Sequence, residues 1–232
     1  MANVNKIEQY NKGTVFPDSY EETYLATKHI SDIKLTIPSD IFAKLKQKIE
    51  EKGLYFGEDS ILRNIIAGII KGNIILQGPP GTGKTTLAKI ICDVFDVSYT
   101  EATANSDWTT YDSIGGLQPS ANDEGQEVLE GKNGYVVSSI LRCCDLIVKN
   151  ENDNGSLQAN WLILDELNRC EIDKVFGDLF TALGSDASIT ERIINLWYQK
   201  DENKKIVYIP NRYRIIGAMN NIDKNFVNDI SQ

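Results

Sequence analysis

"NIILQGPPGTGKTTLAKII", residues 73–91, is the stretch on which the fold turns. Ile74, Ile75 and Leu76 form an apolar run without alternation, which suits a strand buried on both faces of a parallel sheet. From Thr85 onward Leu87, Ile90, Ile91, Val94 and Phe95 recur at helical spacing and face a core. The segment Gly78-Pro79-Pro80-Gly81-Thr82-Gly83-Lys84-Thr85, followed by Thr86, therefore sits on a strand-to-helix turn. That is the context required by the phosphate-binding pattern G-x-x-x-x-G-K-S/T. The first N–H groups of a helix lack intrahelical partners, and the helix dipole places partial positive charge there. Glycines let consecutive N–H groups curl around an anion without obstruction by Cβ. Lys84 is expected to reach the β- and γ-phosphates of a nucleotide, and the Thr85 hydroxyl to ligate Mg2+.

The totals narrow the rest. At 232 residues the chain can bury a sizeable core, and it suits one large domain or one domain with an extension. A formal net charge of −9 argues against a broad basic face for nucleic acid. Cys92, Cys143, Cys144 and Cys170 show no C-x-x-C spacing, and the only histidine is His29. A zinc site or a disulfide framework is therefore not expected, and a reducing cytoplasm is. "MANVNKIEQYNKG" at the N-terminus lacks the apolar stretch of a signal peptide, and no segment is long enough to span a membrane.

Along the chain, residues 1 to about 35 are polar and poorly periodic. "SDIKLTIPSD" reads as a short strand stopped by Pro38, after which Ser39 or Asp40 caps a helix through Ile41, Phe42, Leu45 and Ile49. A second helix starts at Asp59 or Ser60, runs through Ile61, Leu62, Ile65, Ile66, Ile69 and Ile70, and closes at Gly72. "VSYTEAT" suits another strand. Residues 105–134 read as a long, polar, turn-rich loop, of a length that is often functional. "YVVSSILRCCDLIV" resumes a helical face, with Cys143 and Cys144 as packing residues, and "KNENDNGSLQAN" reads as an exposed connector. "DKVFGDLFTALG" is expected to be one helix, and residues 189–210 a hairpin with "KDENKK" as its turn. Strands alternating with helices imply an α/β fold with a largely parallel sheet.

A second constellation lies in "WLILDELNR", residues 161–169. Trp161 to Leu164 read as a central strand with Asp165 and Glu166 at its carboxyl end, where ligands of open α/β sheets bind. Asp165 is assigned to Mg2+ and Glu166 to polarising an attacking water, a division of labour that favours hydrolysis over transfer to a small substrate. An acidic pair ending an apolar strand is by itself commonly a solvated terminus; the phosphate loop upstream changes that weighting. "RYRIIGAMNN" gives a further strand that delivers Asn220 and Asn221 to the same edge.

GPPGTGKT, LILDELNR and RIIGAMNN together resemble the Walker A, Walker B and sensor 1 motifs of AAA+ ATPases. "DELNRCEIDKVFGDLFTAL" resembles the branch that contains MoxR-type, dynein-related and McrB-type proteins, and the hairpin near 193–209 resembles that branch's insertion before sensor 1. The resemblance covers roughly residues 54–230 and implies a P-loop three-layer αβα sandwich with a short N-terminal extension (1–53, partly helical) before a nucleotide-binding subdomain (54–232). It implies ATP, with GTP as the alternative, and Mg2+ as ligands. Lys84, Glu166 and Asn220 are then catalytic, and Thr85 and Asp165 hold the metal. For Arg169 three expectations stay open: action on its own site, action at a subunit boundary, or a salt bridge at a helix start. Arg212 and Arg214, which precede sensor 1, are not assigned as arginine fingers.

The motifs stop short of the fingers, fifth strand and helical lid usual in the family. The chain is thus expected to be a fragment or to depend on a partner segment, and to turn over slowly, with the edge beside "NIIL" unpaired unless "IKLTI" pairs there. The leading expectation is a ring-forming, hexameric ATPase acting on a protein client. The alternatives are a McrB-type GTPase motor with a nuclease partner, in which Asn221 or Asp223 would influence base choice, and a nucleotide-gated scaffold with little turnover.

Overall fold

Four parallel strands order the molecule: β1 (Ile74–Gly78), β8 (Ile215–Asn220), β5 (Asn160–Asp165) and β2 (Ser98–Thr103) lie side by side in that order. The computed structural model describes residues 30–121, 125–153, 156–184 and 191–220. The register places Gly78 beside Asn220, Leu164 beside Gly217, and Thr103 beside Asp165. The carboxyl ends of all four strands therefore open on one edge of the sheet.

β5 is central, and Trp161, Leu162, Ile163 and Leu164 are all buried, as an unalternating apolar run requires. β1 departs from that expectation. It is an edge strand, and Ile75 is 55% exposed. Its other face is covered: Ile74 meets helix α2 (Asp59–Lys71), so close to Gly68 that a Cβ there would lie 2.9 Å from the isoleucine methyl. Ile75 instead lines an apolar groove with Ile172, Phe176, Phe180 and Leu183. "IKLTI" does not fill the edge beside β1.

That segment forms no strand at all. Its backbone is satisfied by a side chain instead: Thr36 N–H donates to Gln158 Oε1 (2.8 Å), and Gln158 Nε2 donates to Thr36 O (2.9 Å) and Phe95 O (2.7 Å). One buried amide thus ties the N-terminal segment to the loop entering β2, so the "exposed connector" before β5 is in part a clamp. Arg212 works beside it, donating to Lys34 O, Asn150 Oδ1, Gln158 O and Glu151 Oε1.

Helix α1 (Ile41–Glu51) buries Leu45 and Ile49 on α3 (Lys84–Val94). It has no side-chain cap: Asp40 stands at the N-cap with φ 55° and makes no capping hydrogen bond. α3 lies on β1, β2, β5 and β8, and α5 (Tyr135–Asp153) on β2 and β5. These helices and the sheet form the αβα sandwich.

The region 105–134, expected as a loop, contains α4 (Thr110–Ser113) and an antiparallel ribbon of β3 (Gly115–Ala121) and β4 (Glu127–Asn133). Thr109 and Asp112 form a capping box at the start of α4. The ribbon escaped the hydrophobic pattern because glycines carry much of its packing. A Cβ on Gly115, at φ +128°, would lie 2.2 Å from Lys132 O, and one on Gly131 would lie 2.9 Å from the Tyr198 ring. Residues 172–183 likewise do not form one helix. α6 (Ile172–Phe176) gives way at Gly177 to a 3-10 turn (Gly177–Leu179), leaving Phe180 52% exposed. The later hairpin is present as β6 (Ile193–Asn195) and β7 (Ile206–Tyr208). Among the described residues, no helix is long and apolar enough to cross a membrane.

All four cysteines are free and buried. Burial pushes the Cys92 and Cys143 thiols up from 9.0 to about 12, and raises Cys144 and Cys170 as well. The folded chain therefore keeps protons that the unfolded chain releases above about pH 9. The unfolded state binds fewer protons in that window, so stability falls as pH rises from about 9 towards 12. Denaturant midpoints at pH 7.5, about 9 and about 10.5 are expected to fall in that order; a flat series would contradict the burial of these thiols.

Candidate functional site

The loop between β1 and α3 builds the first wall. Gly83 ends it in the left-handed region (φ +80°), turning the chain into α3, whose first turn holds no acidic residue. No carboxylate competes there for the positive end of the helix. Thr82 Oγ1 donates to Pro79 O (2.9 Å), closing the loop on itself. The Lys84 amine donates to Gly78 O (3.1 Å) and Pro79 O (2.7 Å), which holds it inside the curve of the loop.

The second wall is the carboxyl end of β5. Thr85 Oγ1 donates to Asp165 Oδ2 at 2.9 Å, joining two residues 80 positions apart. Asp165 Oδ1 accepts the N–H of Glu166 (2.9 Å). Glu166 itself has φ 53°, a left-handed conformation uncommon for a residue with a side chain, and such conformations concentrate at functional sites. From β8, Asn220 Nδ2 lies 3.0 Å from each Glu166 carboxylate oxygen. Arg169 Nε donates to Glu166 Oε2 (3.2 Å) from a side chain that is 60% exposed.

Lys84, Thr85, Asp165, Glu166 and Asn220 thus meet at one edge, where three adjacent strands end. The donor set suits a hard cation: a hydroxyl and a carboxylate in contact, with no thiol or imidazole among them. Thr85 and Asp165 are the residues that would hold Mg2+. Asn221 and Asp223 lie outside the described residues. Arg212 and Arg214 stand at the opposite end of β8, buried and bonded to carbonyls.

Two supporting contacts were not read from the sequence. Asn168 Oδ1 accepts the backbone N–H of Asn220 (3.2 Å), fixing the end of β8 over the 3-10 turn Leu167–Arg169. Leu54 packs against Gly83, where an added Cβ would meet its Cδ2 at 2.5 Å. Leucine can swing aside; the positive φ cannot be relieved so cheaply. Gly83→Ala is expected to destabilise the fold by about 1–2 kcal/mol and to weaken nucleotide binding. Adding Leu54→Ala should not restore stability. Urea melts of Gly83→Ala, Leu54→Ala and the double variant check this, and full rescue by Leu54→Ala would show that contact, not backbone conformation, is the constraint.

A parallel sheet with a glycine loop, a carboxylate pair and a facing asparagine at its carboxyl edge defines a P-loop nucleoside triphosphatase of the AAA+ class. Residues 73–232 match the family described as AAA domain (dynein-related subfamily), and the chain belongs to that family. It is 28% identical over 160 residues to the EcoKMcrB subunit of the type IV methyl-directed restriction enzyme of Escherichia coli K12. That alignment covers 67% of this chain and 32% of the relative, so the chain spans about a third of the relative's length. A crystal structure of a candidate ATPase from Cytophaga hutchinsonii superposes with a TM-score of 0.45 at 19% identity, over 88% of this chain and 47% of that one.

Proposed function

We propose that the chain is a Mg2+-dependent nucleoside triphosphatase that prefers ATP and works in an oligomeric ring, remodelling a macromolecular partner. The observation that carries the hydrolytic part is the grip of Asn220 on Glu166 one residue from the Asp165–Thr85 contact. A carboxylate used only to finish a strand needs no amide aimed at both its oxygens.

The chain's own groups divide the work. The loop N–H groups and the Lys84 ammonium hold the phosphates and offset their charge. Mg2+, when bound through Thr85 and Asp165, neutralises charge on the phosphate oxygens. Glu166 accepts a proton from the water that attacks the terminal phosphorus, and Asn220 keeps the carboxylate turned towards that water. Arg169 lies against the same carboxylate while exposing most of its side chain, so a neighbouring subunit can reach it. The free, buried thiols agree with a reducing cytoplasm.

The alignment with the restriction-enzyme subunit favours a second reading, in which the chain is a GTP-driven motor serving a nuclease. Phosphate release from Mg-ATP and Mg-GTP, across protein concentrations and with Lys84→Ala as the blank, separates the two. Preference for ATP, with turnover per subunit rising with concentration, supports the first. Preference for GTP supports the second. Binding without turnover would favour the nucleotide-gated scaffold over both.

A further inference from the structure

At the amino ends of β1 and β8, remote from the nucleotide site, lies a cavity of about 80 Å3 whose lining includes Lys71, Asn73, Gly184, Arg192, Asn211 and Arg214. Its charge balance is unusual. Arg214 is 7% exposed and gives its N–H groups to the carbonyls of Ile69, Ile70, Asn211 and Tyr213. No ion pair to Arg214 occurs among the described residues. Arg192, with a side chain 12% exposed, donates Nη2 to Asp32 Oδ1 (2.9 Å), a carboxylate that is itself 67% exposed. Arg192 Nε is buried and has no hydrogen-bond partner, the only such side-chain nitrogen or oxygen among the described residues. Burial lowers the pKa of Arg214, and the charge of Arg192 lowers it further, so the two guanidiniums feel each other.

Among the described residues, three cations thus line the cavity, and the one carboxylate paired with any of them, Asp32, holds Arg192 from outside that lining. Water could accept the orphan N–H but would not offset the charge. An oxyanion does both, and a guanidinium is suited to holding one. The cavity has room for a single small group and none for a nucleotide. We propose that it binds a phosphate-sized oxyanion, held by Arg192 Nε and by the charges of Arg214 and Lys71.

Free inorganic phosphate and a nucleic-acid backbone both present such a group, and calorimetry tells them apart. Inorganic phosphate is titrated into the Lys84→Ala protein at constant ionic strength, so that the phosphate loop does not contribute. One saturable site is expected. Arg192→Gln should weaken it by about tenfold and Lys71→Ala, at the exposed rim, by about threefold. Circular dichroism checks that each variant folds; if Arg192→Gln does not, Lys71→Ala decides. Displacement of phosphate by a short DNA duplex would assign the site to a backbone phosphate, and no displacement to the free ion. Absence of saturable binding, or unchanged affinity in the variants that fold, overturns the proposal. The cavity shares no residue with the Lys84–Asn220 site, so that result would leave the nucleotide reading intact.

Discussion

Glu166→Gln is expected to bind Mg-ATP about as tightly as the unaltered chain and to hydrolyse it at least about a hundredfold more slowly, the usual contribution of a positioned general base. The replacement keeps the length and planarity of the side chain, so the neighbouring phosphate loop should be undisturbed. It loses the ability to take a proton. It also alters the local hydrogen bonds: Glu166 now offers two acceptor oxygens to Asn220 Nδ2 and Arg169 Nε, whereas glutamine offers one oxygen and an amide donor. One of those contacts must open, at a site that is partly exposed, so the change in melting temperature should be small. Single-turnover hydrolysis, together with titration of a fluorescent nucleotide analogue, separates the chemical step from binding. An unchanged rate would mean that Glu166 is not the base, and that its contact with Asn220 only shapes the loop.

Lys84→Ala is expected to reduce nucleotide affinity by about tenfold to a hundredfold for each phosphate hydrogen bond lost, because hydrogen bonds to charged groups contribute about 1.5–3 kcal/mol each. Lys84 is the only basic residue in the loop 78–85. Its two partners here, Gly78 O and Pro79 O, belong to the loop itself. The substitution therefore removes a ligand for phosphate and, within the fold, only the hydrogen bonds that Lys84 makes to these two neighbouring carbonyls. The nucleotide-dependent rise in melting temperature should disappear while the melting temperature of the free protein stays nearly constant. A variant that unfolds on its own would show that the lysine is structural; one that keeps the thermal shift would move the phosphate site elsewhere.

Much of the fold was readable because several elements obey strong rules. The runs at 74–76 and 161–164 flanked by turn or charged residues marked strands, and the spacing of Leu87, Ile90, Ile91 and Val94 marked the helix that follows the glycines. The meeting of Asn220 with Glu166 could be anticipated from both residues ending parallel strands. Other features follow from packing that sequence does not display. The ribbon 115–133 has no alternating apolar face because Gly115 and Gly131 make its close approaches. Gln158 reads as an ordinary polar connector residue, and only its burial shows that it replaces a strand's hydrogen bonds for Thr36. Ile75 reads as core, yet the edge position of β1 exposes it. Leu54 and Gly83 are 29 positions apart, and no periodicity links them.

β8 is anchored at both of its ends. Asn220 stands at its carboxyl end against Glu166, and Arg214, just before its amino end, grips the last carbonyls of α2. Six residues at about 3.3 Å each separate them by about 20 Å. An extended strand hydrogen-bonded to a neighbour on either side scarcely stretches, so it behaves as a push-rod. If Asn220 shifts along the strand axis, Arg214 must shift with it by nearly the same amount, and the end of α2 must follow or let go.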